Sequence, residues 1–164
     1  MKYLAEYQLL HKQKLFKGMS ILNHVPDIAE LVSQHGGHHI LDYGCGLGWQ
    51  YTHERVHRVW DREIPTLYDP AVRDYSIKPI GQFDGVICTD VLEHVPENEL
   101  DAMLREIAGF AKTWVFLSVC CRPSRFIKFS DGTNVHVTIH PFEWWQAYLK
   151  PYFNGKTLVL RETK

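Results

Sequence analysis

The sequence Ile40-Leu41-Asp42-Tyr43-Gly44-Cys45-Gly46-Leu47-Gly48 decides the fold of this chain. Its first half is a short apolar run typical of a buried strand, and its second half places glycine at alternate positions. Glycine lets the backbone turn tightly and lets a ligand approach without a Cβ atom in the way. The spacing GxGxG differs from the GxGxxG of dinucleotide-binding proteins and from the GxxxxGK[ST] of phosphate-binding loops. We therefore predict a strand that leads into a ligand-binding loop, called the glycine loop below (residues 44–48).

Other apolar segments of strand length alternate with amphipathic segments on both sides of the glycine loop. Strands are predicted at residues 66–68, 83–88, 114–119, 135–139 and 157–161. Helices are predicted at residues 4–15, 26–36, 96–112 and 142–152. Short strands that alternate with helices form a mostly parallel sheet that is covered on both faces. The sequence thus predicts a compact three-layer α/β fold with a helical N-terminus.

Length and composition indicate one domain over residues 1–164, because 45% of the residues are hydrophobic and the net charge is −1. This neutral balance does not favour nucleic acid or an anionic membrane as a partner, although basic clusters occur at residues 12–17 and 122–128. No apolar run is long enough for a membrane span, and the N-terminus is too polar for a secretion signal. The four cysteines form no CxxC pair, which predicts reduced thiols in a cytoplasmic protein.

Two later segments place acidic residues where predicted strands end. Asp69 follows the strand at residues 66–68 and lies 21 residues beyond Gly48, where an acid can hold both hydroxyl groups of a ribose. The segment FDGVICTDVLEHV (residues 83–95) is a buried strand that releases a polar cluster at its carboxyl end. Parallel sheets bind ligands outside the carboxyl ends of their strands, so we expect both segments to join the glycine loop in one site.

Together these three segments resemble the class I S-adenosylmethionine-dependent methyltransferases. LDYGCGLG (residues 41–48) resembles the first motif of that family, Asp69 resembles its ribose-binding acid, and FDGVICTDVLEHVP (residues 83–96) resembles its fourth-strand motif. The resemblance covers about residues 24–120 and implies a single-domain Rossmann-like fold with S-adenosylmethionine as the cofactor. It divides the chain into N-terminal helices (1–36), a cofactor-binding half (37–120) and an acceptor-side half (121–164).

The resemblance also implies which residues contact the cofactor. The glycine loop would carry the methionine part, Asp69 the ribose hydroxyl groups, and Tyr68 or Pro70 would flank the adenine. Thr89 and Asp90 would approach the methyl group. The full set of implied cofactor-binding residues is Asp42, Gly44, Cys45, Gly46, Asp69, Pro70, Thr89 and Asp90.

Histidines are the candidate catalytic residues. Methyl transfer to oxygen or nitrogen requires an acceptor that is held in line and loses a proton, and the pKa of histidine suits that task. His94 follows the strand at residues 83–88, and His136 lies beyond the strand at residues 114–119, where the family builds its acceptor pocket. We predict that His94 and His136 serve a methyltransferase acting on oxygen or nitrogen of a small-molecule acceptor.

A metal-assisted reaction is an alternative prediction. The set Asp90, Glu93, His94 and His140 resembles the metal ligands of small-RNA 2′-O-methyltransferases and ubiquinone-pathway O-methyltransferases, with Asp90 where their motif has glutamate. Such a set would bind a divalent cation, and the enzyme would then methylate the 2′-hydroxyl of RNA ends. A non-catalytic cofactor-binding module that serves a partner protein is a further alternative.

A zinc signature overlaps the same half of the chain. His53-Glu54-Arg55-Val56-His57 matches H-E-x-x-H, which binds zinc when both histidines lie on one face of a helix. We interpret the match as a coincidence, because its flanks are polar and no third ligand is identified.

The remaining segments bear on acceptor specificity and on the core. The three motifs leave no room for a separate recognition domain, so we expect specificity from residues 1–23, from residues 121–140 or from a protein partner. Four aromatic residues at helical spacing are predicted to pack in the core: Trp144, Trp145, Tyr148 and Tyr152.

Overall fold

The computed structural model describes residues 2–60 and 62–163 and confirms the α/β fold. Five parallel strands form one sheet in the order β2-β1-β3-β4-β5. The strands are β1 (Ile40–Tyr43), β2 (Thr66–Tyr68), β3 (Phe83–Thr89), β4 (Ala111–Val119) and β5 (Thr157–Glu162). The helices are α1 (Leu4–Lys12), α2 (Val25–His35), α3 (Trp49–Thr52), α4 (Glu97–Phe110) and α5 (Phe142–Leu149). Shorter 3₁₀ turns lie at Ser20–His24, Val56–Trp60, Arg73–Tyr75, Leu92–His94 and Lys150–Phe153.

Apolar side chains pack on both faces of the sheet and produce three layers. Helices α4 and α5 cover one face, where Leu104 and Trp145 belong to the larger hydrophobic cluster. Helix α2 covers the other face, with Trp114 and Phe116 of β4 in its cluster. A smaller third cluster joins Tyr7 of α1 to the loop that follows β4. This arrangement is the expected Rossmann-like sandwich.

The strand order explains where a ligand can bind. The chain adds β2 on one side of β1 and then returns to place β3 on the other side. At such a switch point the two crossover connections run in opposite directions and leave a crevice at the carboxyl ends of the strands. The glycine loop follows β1 directly, so the sheet topology places it at this crevice.

The strand predicted at residues 135–139 is wrong. This segment has no regular secondary structure, because the amides of Val137 and Thr138 both donate to the carbonyl of Glu93, at 2.8 and 3.0 Å, rather than to a neighbouring strand. The Thr138 hydroxyl also donates to the Val95 carbonyl at 2.6 Å. The apolar alternation therefore serves to pack the segment onto the turn after β3.

The zinc signature does not form a helix. Helix α3 ends at Thr52, and Arg55 has a positive φ of 55°, which breaks the helical path between the two histidines. His53 and His57 therefore do not share one helical face, and a zinc-peptidase site is excluded for the described structure.

The predicted aromatic packing is confirmed: Trp145 is fully buried in the larger cluster, and Trp144, Tyr148 and Tyr152 pack against that cluster. Trp144, Tyr148 and Tyr152 are half-buried and stack in a row along α5, with 4.5 Å between the ring centres of the first two.

The four cysteines are free thiols. Within the described residues, no helix is long and apolar enough to cross a membrane.

Candidate functional site

A cavity of about 330 Å³ opens at the carboxyl ends of β1, β2 and β3. That volume lies within the range typical of small-molecule sites. The residues singled out by sequence that line it are Gly44, Gly46, Asp69, Pro70, Thr89, Asp90 and His94. The structure therefore brings the three motif segments together at one crevice.

The glycine loop is held by β2 and requires glycine at its first position. The amides of Gly44 and Cys45 both donate to the Tyr68 carbonyl, at 2.7 and 3.2 Å. Gly44 has a φ of 81°, and a Cβ atom there would lie 2.4 Å from Cγ2 of Val91. The Cys45 side chain is buried behind the loop and is not part of the cavity wall, and its burial raises the pKa of the thiol.

Asp69 ties the end of β2 to the glycine loop. Its Oδ2 accepts a hydrogen bond from the Gly46 amide at 3.0 Å, and its Oδ1 accepts one from the Ala71 amide at 2.9 Å. A carboxylate has about four acceptor positions, so both oxygens can still accept hydroxyl groups of a ligand.

Asp42 is buried behind the glycine loop and does not line the cavity. Its Oδ2 accepts a hydrogen bond from Nε2 of Gln50 at 2.7 Å, and the side chain is buried. Burial raises the pKa of Asp42 to about 7, although the hydrogen bond from Gln50 favours the charged form. Asp42 therefore fixes the residues that follow the loop.

Asp90 carries backbone strain at the carboxyl end of β3. Its φ is 54°, a left-handed conformation that is uncommon outside glycine and that clusters at functional sites. Its Oδ1 accepts hydrogen bonds from Ser118 Oγ at 2.7 Å and from Thr163 Oγ1 at 2.6 Å. These two contacts hold the carboxylate beside the cavity, next to Thr89.

His94 and His136 form a paired cluster with Glu93. The two imidazole rings meet edge to face with 4.7 Å between their centres. The Nδ1 atom of His94 lies 3.1 Å from the Val135 carbonyl, and that of His136 lies 2.6 Å from the Arg122 carbonyl. Because a carbonyl only accepts, we assign the proton of each ring to Nδ1, which leaves each Nε2 free as an acceptor. Burial, with a smaller contribution from His136, lowers the pKa of His94 to about 3.

Glu93 completes the one group of metal-ligand type found among residues 2–60 and 62–163. One potential ligand atom from each of Glu93, His94 and His136 lies within 4.8 Å of the others. Glu93 is fully buried, its Oε1 accepts the Cys120 amide at 2.9 Å, and its Oε2 has no hydrogen-bond partner in the described structure. Burial and the nearby Asp90 charge raise the pKa of Glu93 well above its usual range.

His140 is not part of this group, contrary to the predicted metal set. Its Nε2 lies 3.0 Å from Oε2 of Glu97, and its ring stacks on Trp144 at 3.8 Å. Asp90 is likewise absent from the group, because its carboxylate is bound to hydroxyl groups of β4 and the C-terminal residues. In the structure, His136 rather than His140 therefore lies with Glu93 and His94.

A family model described as a methyltransferase domain matches residues 25–159. The chain belongs to this methyltransferase family. The match runs from the start of α2 into β5 and includes every residue discussed above for the glycine loop, Asp69 and the histidine cluster. No curated protein matches the chain significantly.

The cavity of this methyltransferase fits the S-adenosylmethionine that the family implies. The glycine loop contributes Gly44 and Gly46 to the cavity wall, and Asp69 retains acceptor positions for a ribose. Pro70 and Ala71 continue the wall beyond Asp69, and Thr89 and Asp90 continue it at the end of β3. These residues would hold the cofactor.

An N-terminal segment (residues 2–20) also lines the cavity, which the motifs did not reveal. Its lining residues are Tyr7, His11, Leu15, Phe16, Lys17, Gly18, Met19 and Ser20. The Lys17 and Gly18 carbonyls accept the amides of Trp49 and Gln50, at 3.1 and 2.9 Å, so the segment caps α3. The available sequence signal was the i, i+4 spacing of Tyr7 and His11 on one face of an amphipathic helix. Residues within the first 23 therefore form part of the cavity wall.

Proposed function

We propose that this methyltransferase transfers a methyl group to oxygen or nitrogen of a small-molecule acceptor bound in the cavity. The observation that carries the proposal is that His94 lines the cavity while its Nδ1 atom is engaged by the Val135 carbonyl, which assigns Nε2 as the unprotonated nitrogen. The wall around it is largely aromatic and apolar, with Tyr7, Phe16 and Val91 nearby. Such a wall suits a compact acceptor and excludes water from the reaction. Family membership favours an enzyme over a non-catalytic module.

Different side chains would orient the acceptor and remove its proton. S-adenosylmethionine supplies a methyl group on a positively charged sulfur. Nε2 of His94 would accept a hydrogen bond from the acceptor hydroxyl or amine, which orients its lone pair. As the methyl group is transferred, the acceptor's proton would move to Nε2 of His94 and from there to Nε2 of His136, whose ring centre lies 4.7 Å away. The hydrogen bond of the His136 ring is exposed, whereas that of the His94 ring is partly buried, so His136 would pass the proton to solvent. Tyr7 holds this arrangement, because its hydroxyl donates to the His94 and Val135 carbonyls, at 2.9 and 3.1 Å.

Two measurements test the proposal. Isothermal titration calorimetry should detect binding of S-adenosylhomocysteine, the product form of the cofactor. A cell extract separated into small molecules and macromolecules, and supplied with cofactor carrying a tritiated methyl group, should accumulate label in a compound of the small-molecule fraction other than the cofactor itself. Absence of binding would refute the cofactor assignment, and label confined to macromolecules would refute the acceptor class.

We expect His94→Ala and His136→Ala each to lower turnover by about 100-fold, the lower range for loss of acid–base assistance. S-adenosylhomocysteine affinity should stay within about twofold of wild type, since the hydrogen bonds of both rings go to the Val135 and Arg122 carbonyls and not to the glycine loop or Asp69. His140→Ala is the matched control, because His140 pairs with Glu97 outside the cluster. Equal turnover in His136→Ala and His140→Ala would remove His136 from the site.

Metal-assisted 2′-O-methylation of RNA ends is a second candidate, favoured by the Glu93–His94–His136 cluster. Both imidazoles are oriented by carbonyls through Nδ1, which is the usual support for a metal-binding histidine. These three residues would hold a divalent cation, which would lower the pKa of a ribose hydroxyl.

Manganese binding tests this candidate independently of turnover. The second candidate predicts that wild type reduces the electron paramagnetic resonance signal of free Mn²⁺, that Glu93→Gln and His136→Ala lose the effect, and that His140→Ala keeps it. It also predicts methylation of RNA ending in a 2′,3′-diol but not of RNA ending in a 2′-deoxynucleotide. Full activity after exhaustive chelation would contradict it.

A further inference from the structure

We propose that His11 is a further cofactor-binding residue that holds a ribose hydroxyl group together with Asp69. The inference rests on the proposed use of S-adenosylmethionine in this cavity. It makes the N-terminal segment a part of the cofactor site, although the family motifs begin only after it.

His11 is a buried polar side chain with no hydrogen bond assigned to it in the described structure. It lines the cavity and is 8% exposed. Its Nδ1 atom is buried without a partner, and its Nε2 atom lies 3.7 Å from Oδ2 of Asp69, which is too far for a hydrogen bond. Nε2 is therefore a polar atom beside Asp69 with no hydrogen bond assigned to it, on a residue that lines the cavity, and a ligand hydroxyl group can supply that bond.

The gap between His11 and Asp69 fits a single hydroxyl group. Two atoms 3.7 Å apart can both lie about 2.8 Å from one oxygen placed to the side of the line that joins them. A hydroxyl group has one proton to donate and lone pairs to accept. It would donate to Oδ2 of Asp69 and accept from Nε2–H of His11, while Asp69 keeps its hydrogen bond from the Gly46 amide.

The position of His11 is set by the residues that follow it in the N-terminal segment. Its ring packs against Phe16, with 5.7 Å between ring centres. Beyond Phe16, Gly18 lies so close to the glycine loop that a Cβ atom would stand 2.0 Å from the Cys45 carbonyl oxygen. Because these contacts hold His11 over Asp69, cofactor binding should stabilise the N-terminal segment against opening.

Calorimetry with S-adenosylhomocysteine tests the residue directly. His11→Phe keeps a ring of similar size but has no donor, and we expect it to bind about tenfold more weakly. His11→Gln keeps a donor and should stay within about threefold of wild type. Lys12→Ala, an exposed neighbour on α1, is the control and should bind as wild type does. Thermal unfolding of ligand-free His11→Phe should match or exceed wild type, which separates binding from folding.

Limited trypsin digestion provides a second readout. The exposed Lys12, Lys14 and Lys17 lie in the N-terminal segment, so S-adenosylhomocysteine should slow cleavage there by several fold in wild type but not in His11→Phe. If wild type fails to bind S-adenosylhomocysteine, the proposed function is overturned. If wild type binds and His11→Phe binds equally well, only the role of His11 is overturned.

Discussion

Replacing Asp69 with alanine is expected to weaken S-adenosylhomocysteine binding by about 100-fold or more. The carboxylate now accepts the Gly46 and Ala71 amides, so its loss releases the glycine loop from the end of β2. In the bound state the same carboxylate would also accept the ribose hydroxyl groups. Hydrogen bonds to a charged group each contribute about 1.5–3 kcal/mol, and two such bonds account for this loss.

Calorimetry of three variants measures the effect. Asp69→Asn keeps acceptor capacity on one oxygen and should fall between wild type and Asp69→Ala. Asp74→Ala removes an exposed carboxylate from the neighbouring Arg73–Tyr75 turn and should leave affinity unchanged. An Asp69→Ala variant that binds as tightly as Asp74→Ala would disprove the assignment of Asp69 to the ribose.

Replacing Gly85 with alanine is expected to lower the free energy of unfolding by about 3 kcal/mol, at the upper end for overpacked cores. Gly85 of β3 pairs with Trp114 of β4, and the indole covers it. A Cβ atom at Gly85 would stand 2.0 Å from Cε2 of Trp114, whose ring is fully buried. The ring also donates from Nε1 to the Gly36 carbonyl at 2.9 Å, which limits its movement.

Gly109 provides a control of the opposite sign. It lies in α4, and no neighbouring atom comes within 4 Å of the place that a Cβ atom would occupy, so alanine fits without contact. Gly109→Ala should raise the free energy of unfolding by about 0.5–1 kcal/mol, because alanine loses less backbone entropy. Urea denaturation followed by circular dichroism measures both variants. Equal midpoints for Gly85→Ala and wild type would show that the indole does not cover Gly85.

The strands were predictable where an apolar run ends in turn-forming residues. The sequence predicted β2 at its observed bounds and β3 to within one residue, because Asp69-Pro70 and the polar cluster after Cys88 end those runs. The segment at residues 135–139 has similar alternation but packs on the carbonyl of Glu93. Alternation of apolar and polar residues indicates that a segment buries one of its sides. It does not indicate which element the segment packs against or pairs with.

The membership of the histidine cluster likewise depended on tertiary contacts that no local sequence pattern indicates. His136 and His140 lie four residues apart in one irregular segment, and the sequence assigned His140 to the metal set. The hydrogen bonds of Val137 and Thr138 to Glu93 fix which part of that segment faces the turn after β3. They bring His136 to His94 and leave His140 with Glu97.

By itself, the sequence determined the parallel α/β sheet, the methyltransferase family and the placement of the glycine loop, Asp69 and Asp90 at one crevice. These follow from local signals, because glycine spacing and strand length act over a few residues and parallel strands align their carboxyl ends. Only the tertiary structure decided that the N-terminal segment closes the cavity, with His11 beside Asp69. The contacts that place it join residues dozens of positions apart, and such contacts depend on the packing of the whole fold rather than on any local pattern.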